Sequence, residues 1–157
     1  MTLETKAIRE WKKVFVSDIG YISYELKEIV KPKAIIFLEG AMGSGKTTFA
    51  KDFLGEDDTM SPSYSVIYDV GNNVHADLYR IEDKQEIFQL EFSLHLENKD
   101  YCLIEWGKKY FNILSREIPE NFEFYLLEIT VNSQAQAETE DKTTFSRNFV
   151  LSEIKEY

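Results

Sequence analysis

The chain has 157 residues and a mass of 18.4 kDa, the size of one domain and long enough to bury a core without disulfides or a structural metal. One cysteine and two histidines exclude a disulfide scaffold and a zinc ribbon, and point to a reducing cytosol. Its 43% hydrophobic and 29% charged residues exclude extensive disorder, while 28 acids against 18 bases leave a net charge of −10, a field that repels nucleic acid and calls for a more basic partner in any work on RNA.

In chain order, residues 13–16 have the composition of a first strand. Ser17 is placed to cap a following helix, in which Ile19, Ile22, Leu26, Ile29 and Val30 recur near helical spacing before Pro32 ends it. Residues 34–38 are a continuous apolar run, the pattern of a strand buried on both faces, and the glycines of 40–45 turn the chain into a loop. Helical spacing resumes over 47–54. After turn signals at 55–62, residues 64–68 and 74–78 read as strands, joined into a hairpin by a tight turn at Gly71-Asn72. Residues 82–91 suit a helix, 101–105 a buried strand, 106–114 a helix, and 122–131 with 143–151 two closing strands. The polar stretch 132–142 between those two, without bulky apolar residues, reads as a surface excursion or as a partly disordered segment. This alternation predicts an α/β fold of the P-loop NTPase type, three layers with a central parallel sheet and antiparallel edge strands, as a single domain over 1–157. The longest apolar runs fall far short of the ~20 residues of a membrane span, and residues 1–9 lack the apolar stretch of a secretory leader. A cytoplasmic protein without a membrane partner is expected.

The segment Gly40-Ala41-Met42-Gly43-Ser44-Gly45-Lys46-Thr47 satisfies the phosphate-loop pattern G-x-x-x-x-G-K-[ST]. Its glycines let backbone N–H groups turn inward around phosphate oxygens. Lys46 is placed to reach the β and γ phosphates, and the Thr47 hydroxyl to ligate Mg²⁺ at a helix N-terminus that adds partial positive charge. The required context, a strand before and a helix after, is present. Gly40 to Thr47, with Thr48 beyond it, are therefore the candidate residues for holding ATP or ADP.

Such a loop needs a carboxylate at the end of a neighbouring strand to complete the metal shell. Glu105, after Tyr101-Cys102-Leu103-Ile104, fits best, with Asp77 second because His75 and Ala76 before it are less apolar. Guanine specificity is disfavoured. Asn98-Lys99-Asp100-Tyr101 misses the spacing of N-K-x-D and precedes a strand instead of following one, so adenine is expected.

Four blocks, in this order, carry a family resemblance. They are Leu38-Glu39-Gly40-Ala41-Met42-Gly43-Ser44-Gly45-Lys46-Thr47-Thr48, Ser61-Pro62-Ser63-Tyr64, His75-Ala76-Asp77-Leu78-Tyr79-Arg80 and Leu103-Ile104-Glu105-Trp106. With them the chain resembles the TsaE family, small bacterial ATPases of transfer-RNA threonylcarbamoyladenosine synthesis. The resemblance implies that Thr47 and Glu105 hold Mg²⁺, that Asp77 is a second essential acid near the phosphates, and that Ser61, Pro62, Ser63 and Tyr64 form a switch-like loop. It further implies that ATP turnover serves an assembly with TsaB and TsaD, in which TsaD modifies the adenosine beside the anticodon. On that reading tRNA meets this chain only through the complex. Three positions depart from the family pattern: Ser63 stands for Thr, Ala76 for an apolar aromatic and Gly107 for Pro.

Lys46, Asp77 and Glu105 are thus the expected catalytic groups, with Asp77 or Glu105 orienting the attacking water. Arg80 is a charge stabiliser, a partner contact or one half of an ion pair, and Trp106 a cover for the nucleotide, a partner contact or core packing. His75 reads as an ordinary hairpin residue and Cys102 as a small buried hydrophobe. Without an evident arginine finger, hydrolysis is expected to be slow alone and stimulated by partners. A small-molecule P-loop kinase is disfavoured by only four scattered arginines; a nucleotide-gated binding module with incidental hydrolysis remains the other alternative.

Overall fold

The run Ala-Ile-Ile-Phe-Leu becomes the middle of a sheet because both of its faces are apolar. In the computed structural model, which describes residues 3–56, 66–132 and 145–156, it forms β2 (Ala34–Glu39), every residue of which but Glu39 is buried. In chain order the other elements are β1 (Glu4–Val14), α1 (Ile19–Ile29), α2 (Lys46–Leu54), β3 (Ile67–Val70), β4 (Asn73–Asp77), α3 (Lys84–Leu90), α4 (Phe92–His95), β5 (Tyr101–Glu105), α5 (Phe111–Glu117), β6 (Glu123–Val131) and β7 (Arg147–Glu156). Among the described residues the strands make one seven-stranded sheet, ordered β1-β7-β6-β2-β5-β4-β3. β6, β2, β5 and β4 are mutually parallel, and antiparallel pairs close both sides, β3 on β4 and β7 with β1 beyond β6. This is the predicted α/β architecture.

Strand alternation sorts the core into two halves. Ile36 and Leu38, with Leu103, Leu127 and Ile129, face Ile22 and Leu26 of α1 and Phe49 and Phe53 of α2. Ile35 and Phe37, with Cys102, Ile104 and Leu126, face Ile87, Phe92, Phe111 and Leu114 from α3, α4 and α5. Helices therefore cover both faces, giving three layers. Each fully buried side chain of this kind contributes about 1.5–3 kcal/mol. None of the described helices is long and apolar enough to cross a membrane.

Several boundaries differ from the sequence reading for identifiable reasons. The first strand runs over Glu4–Val14, not 13–16, and buries only Trp11 and Val14. It is an edge strand with charged residues on both faces, so it carries no alternation to detect. Ser17 lies inside a short 3-10 turn (Val16–Asp18), and the capping carboxylate is Asp18, which accepts from the Phe15 N–H at 2.9 Å. The helix expected over 82–91 is α3 followed, after Glu91 at φ 55°, by the four-residue α4. Asp83 starts α3 by accepting from Gln85 N, while Glu86 accepts from Asp83 N, each at 2.9 Å. The helix expected from 106 begins instead with a 3-10 turn at Lys108–Tyr110 and becomes α5, because Trp106 takes φ 60° and leaves the helical path.

The hairpin forms as read, with Gly71 at φ 58° in the turn between β3 and β4. β3 starts at Ile67 where the sequence suggested residue 64, and Ser61, Pro62, Ser63 and Tyr64 lie outside the described residues. β7 begins at Arg147 and runs on to Glu156. Of the polar excursion 132–142 only Asn132 is described; its N–H donates to Ser146 O at 2.8 Å.

Gly107 accounts for one departure from the family pattern. A Cβ there would meet Ile104 Cγ2 at 2.5 Å and the Phe37 ring at 3.2 Å, so Phe37 and Ile104 occupy the space a larger residue would need. Gly107→Ala is expected to destabilise the protein by about 1–3 kcal/mol through overpacking; an unchanged urea midpoint would show that this packing gives way freely.

Candidate nucleotide-binding site

Because β2, β4 and β5 are parallel, their carboxyl ends share one edge of the sheet, where ligands of open α/β folds bind. The loop 40–45 leaves β2 there. Asp77 ends β4 and Glu105 ends β5, side by side in register. Together with the start of α2 they border a cavity of about 470 Å³ lined by Met42, Gly43, Gly45, Lys46, Thr47, Thr48, Asp77, Tyr79, Glu105, Trp106 and Arg147, within the usual size range of small-molecule sites. Of the predicted loop residues, Gly40 and Ala41 contact Lys46 from beneath, and Ser44 is buried.

Two glycines are required by the loop's shape. A Cβ on Gly40 would lie 2.5 Å from Ile129 O and 2.6 Å from Ser44 Oγ, so nothing larger fits between the loop and β6. Gly45 adopts φ 109° immediately before the first turn of α2, a conformation that side chains disfavour.

Lys46 is 5% exposed. Its Nζ donates to Gly40 O at 2.6 Å and to Ala41 O at 3.2 Å, and stands 4.0 Å from the centre of the Trp106 ring. Burial lowers its pKa, opposed by the charges of Glu105, Glu39 and Asp77. Trp106 reaches this position through its left-handed backbone, a conformation that costs a non-glycine residue on the order of 1–3 kcal/mol, and its ring also packs on Tyr79 with centroids 5.1 Å apart. The indole face and two carbonyls thus hold the ammonium where a phosphate would compete for it.

Thr47 and Glu105 lie together: Thr47 Oγ1 donates to Glu105 Oε1 at 2.7 Å. Asp77 stands beside them, half-buried, with Oδ1 accepting from Tyr79 N at 3.1 Å. Burial raises its pKa, partly offset by that hydrogen bond. Arg80 is exposed. Cys102 is buried in β5, and desolvation pushes its thiol well above the ordinary range. The residues of the rejected guanine motif lie at the opposite end of β5, where Asp100 N donates to Asn72 O at 2.8 Å.

Three groups escaped the sequence reading. His75 is not an ordinary hairpin residue: it is 2% exposed, with Nε2 2.7 Å from Glu105 Oε2 and Nδ1 2.9 Å from Glu56 Oε2. Burial opposes its charge, but the two carboxylates outweigh burial and raise its pKa. Glu56 is held there by the end of α2, where Gly55 turns left-handed and the Glu56 N–H donates to Lys51 O at 2.9 Å. Tyr68 OH donates to Glu56 Oε1 at 2.8 Å and lies 2.9 Å from His75 Nδ1. The available signal was period-two spacing, which puts His75 on the face of β4 that carries Asp77. Arg147, from β7, donates through Nε to Ser44 O at 2.7 Å and through a terminal nitrogen to Phe145 O at 2.9 Å. No local motif marks it.

The site suits a polyphosphate and a hard cation. The cradle beneath the loop excludes any Cβ at Gly40, a lysine stands over it, and the buried Ser44 Oγ has no hydrogen-bond partner among the described residues. A hydroxyl and a carboxylate oxygen lie within hydrogen-bond distance of each other beside it, the donor set Mg²⁺ prefers.

Comparison with known proteins places the chain in a family. The family model described as Threonylcarbamoyl adenosine biosynthesis protein TsaE matches residues 16–143. The chain belongs to the TsaE family. It is 30% identical over 119 residues to the tRNA threonylcarbamoyladenosine biosynthesis protein TsaE of Bacillus subtilis, covering 71% of this chain and 72% of that one. It is 36% identical over 92 residues to the protein of the same name from Rickettsia felis, covering 53% of each, and 29% identical over 109 residues to that of Haemophilus influenzae, covering 64% and 69%. The fold matches the crystal structure of YdiB from Bacillus subtilis with a TM-score of 0.56 at 22% identity, over 99% of this chain and 89% of that one. Membership in TsaE connects the protein with tRNA threonylcarbamoyladenosine biosynthesis.

Arg147 ties the loop to a strand remote in sequence, and its removal strands a buried carbonyl. Arg147→Ala is expected to cost about 1–3 kcal/mol in chemical denaturation; an unchanged denaturation midpoint would dismiss it as a loop anchor.

Proposed function

We propose that this TsaE protein is a Mg²⁺-dependent ATPase that supports threonylcarbamoyladenosine formation on tRNA in a complex with TsaB and TsaD. The observation that carries the proposal is the 2.7 Å contact between Thr47 Oγ1 and Glu105 Oε1 beside a loop whose lysine donates to two backbone carbonyls and lies over an aromatic face. Adenine is preferred because the guanine-reading motif is absent from the nucleotide end of the sheet. Residues 40–48 hold the nucleotide, and tRNA is met only through the complex, as befits a charge of −10.

Loop amides and the first turn of α2 bind the phosphates, and Lys46 exchanges the carbonyls of Gly40 and Ala41 for β and γ oxygens. Thr47 and Glu105 would hold Mg²⁺, which when bound neutralises charge developing between the β and γ phosphates. The two acids divide the remaining work. Both oxygens of Glu105 are engaged, one by Thr47 and one by His75, which leaves Asp77 to orient the attacking water. Its pKa, raised by burial, makes it a better proton acceptor than an ordinary carboxylate. Trp106 and Tyr79, packed on each other, line the cavity.

Among the described residues no arginine is presented as a finger. Arg147 is bonded to the carbonyls of Ser44 and Phe145, Arg9 is paired with Glu25, and Arg80 is exposed. A charge supplied in trans is worth roughly 10³–10⁵ in rate, so purified TsaB and TsaD are expected to stimulate a slow basal hydrolysis; an unchanged rate would remove the proposed partnership. Lys46→Ala and Thr47→Ala are each expected to lower hydrolysis by about 100-fold or more with native circular dichroism. An active Thr47→Ala protein would overturn the metal assignment.

A further inference from the structure

We infer that His75 is a positioning residue that fixes the orientation of the Glu105 carboxylate through Nε2 and is itself fixed by Glu56 through Nδ1. The inference rests on the proposed role of Glu105 in holding magnesium and extends it to a group outside the nucleotide cavity. His75, Glu56 and Glu105 have side chains only 2%, 0% and 3% exposed. A buried carboxylate free to rotate would present its oxygens to Thr47 in many ways. Here one oxygen meets Nε2 at 2.7 Å and the other meets Thr47 Oγ1 at 2.7 Å, so the imidazole selects the rotamer that faces the loop.

The ring is held at its far side too. Nδ1 lies 2.9 Å from Glu56 Oε2, and Tyr68 from β3 holds the other Glu56 oxygen at 2.8 Å. The chain of contacts runs from β3 through the end of α2 and β4 to the tip of β5. It joins both ends of α2 to one carboxylate, since Thr47 lies in the first turn of that helix and Glu56 just beyond its C-cap Gly55. Groups of this kind behind a metal ligand typically affect metal affinity by about 10- to 100-fold.

Two substitutions separate the ring nitrogens. His75→Gln places an amide nitrogen near the position of Nε2, keeping a donor for Glu105 and losing the link to Glu56. His75→Asn places one near Nδ1 and does the reverse. Calorimetry of ADP binding with and without magnesium gives the metal's contribution for each, and metal-free ADP affinity together with thermal unfolding monitors the integrity of the site. His75→Asn is expected to lose about 10- to 100-fold in magnesium affinity while metal-free ADP binding persists, and His75→Gln to stay within a few-fold of the unaltered protein. Equal magnesium affinities in the two variants, or losses that follow their melting temperatures, would overturn the inference while leaving the nucleotide reading intact. Absence of magnesium-dependent ADP binding in the unaltered protein would refute both. A measurement without substitution adds to this: the Nε2–H proton resonance of His75 is expected to be slowly exchanging and to shift when magnesium joins the ADP complex. A resonance indifferent to magnesium would contradict the proposed contact.

Discussion

The hydrogen bond from Thr47 to Glu105 joins the two halves of this site. Thr47 belongs to the helix that follows the glycine loop, and Glu105 to the neighbouring strand of the sheet, 58 residues away in sequence. Only a parallel sheet puts the loop after β2 and the carboxyl end of β5 at the same edge. Everything proposed for nucleotide and metal follows from that meeting, because the loop alone supplies amides and a lysine but no metal carboxylate.

Holding the glutamate there is expensive. Glu105 and Glu56 are both buried, and a buried carboxylate is tolerated only when hydrogen-bonded or paired. His75 satisfies both acids at once, one at each ring nitrogen. Lys46 is under the opposite pressure: burial disfavours its charge, and the Gly40 and Ala41 carbonyls with the Trp106 ring compensate for lost water. On the reading proposed here, a phosphate would offer that ammonium a stronger partner than the two loop carbonyls it now holds.

Much of this was legible in the sequence, and the rest was hidden for physical reasons. The glycine loop and the strands 34–38 and 101–105 carry local signals, a fixed spacing and continuous apolar runs, so both they and the pairing of Thr47 with Glu105 were anticipated. β1 was largely missed because an edge strand with polar faces has no hydrophobic period. Trp106 was assigned to a helix because nothing in its neighbours announces a left-handed backbone. His75, Glu56 and Arg147 act through partners 19, 30 and 103 residues away, and contacts of that range appear only when the sheet order is known. The family resemblance drew attention to Asp77 but not to the histidine two positions before it.

The central claim is that Glu105 and Thr47 form one half of a magnesium site completed by nucleotide phosphates. Titrating ADP into Glu105→Gln with and without magnesium tests it most directly, since glutamine keeps the shape of the side chain and removes its charge. The expected result is metal-free affinity like that of the unaltered protein with the gain from magnesium lost. Retention of the full magnesium gain in Glu105→Gln would contradict the claim and move the metal elsewhere, Asp77 being the other acid that lines the cavity.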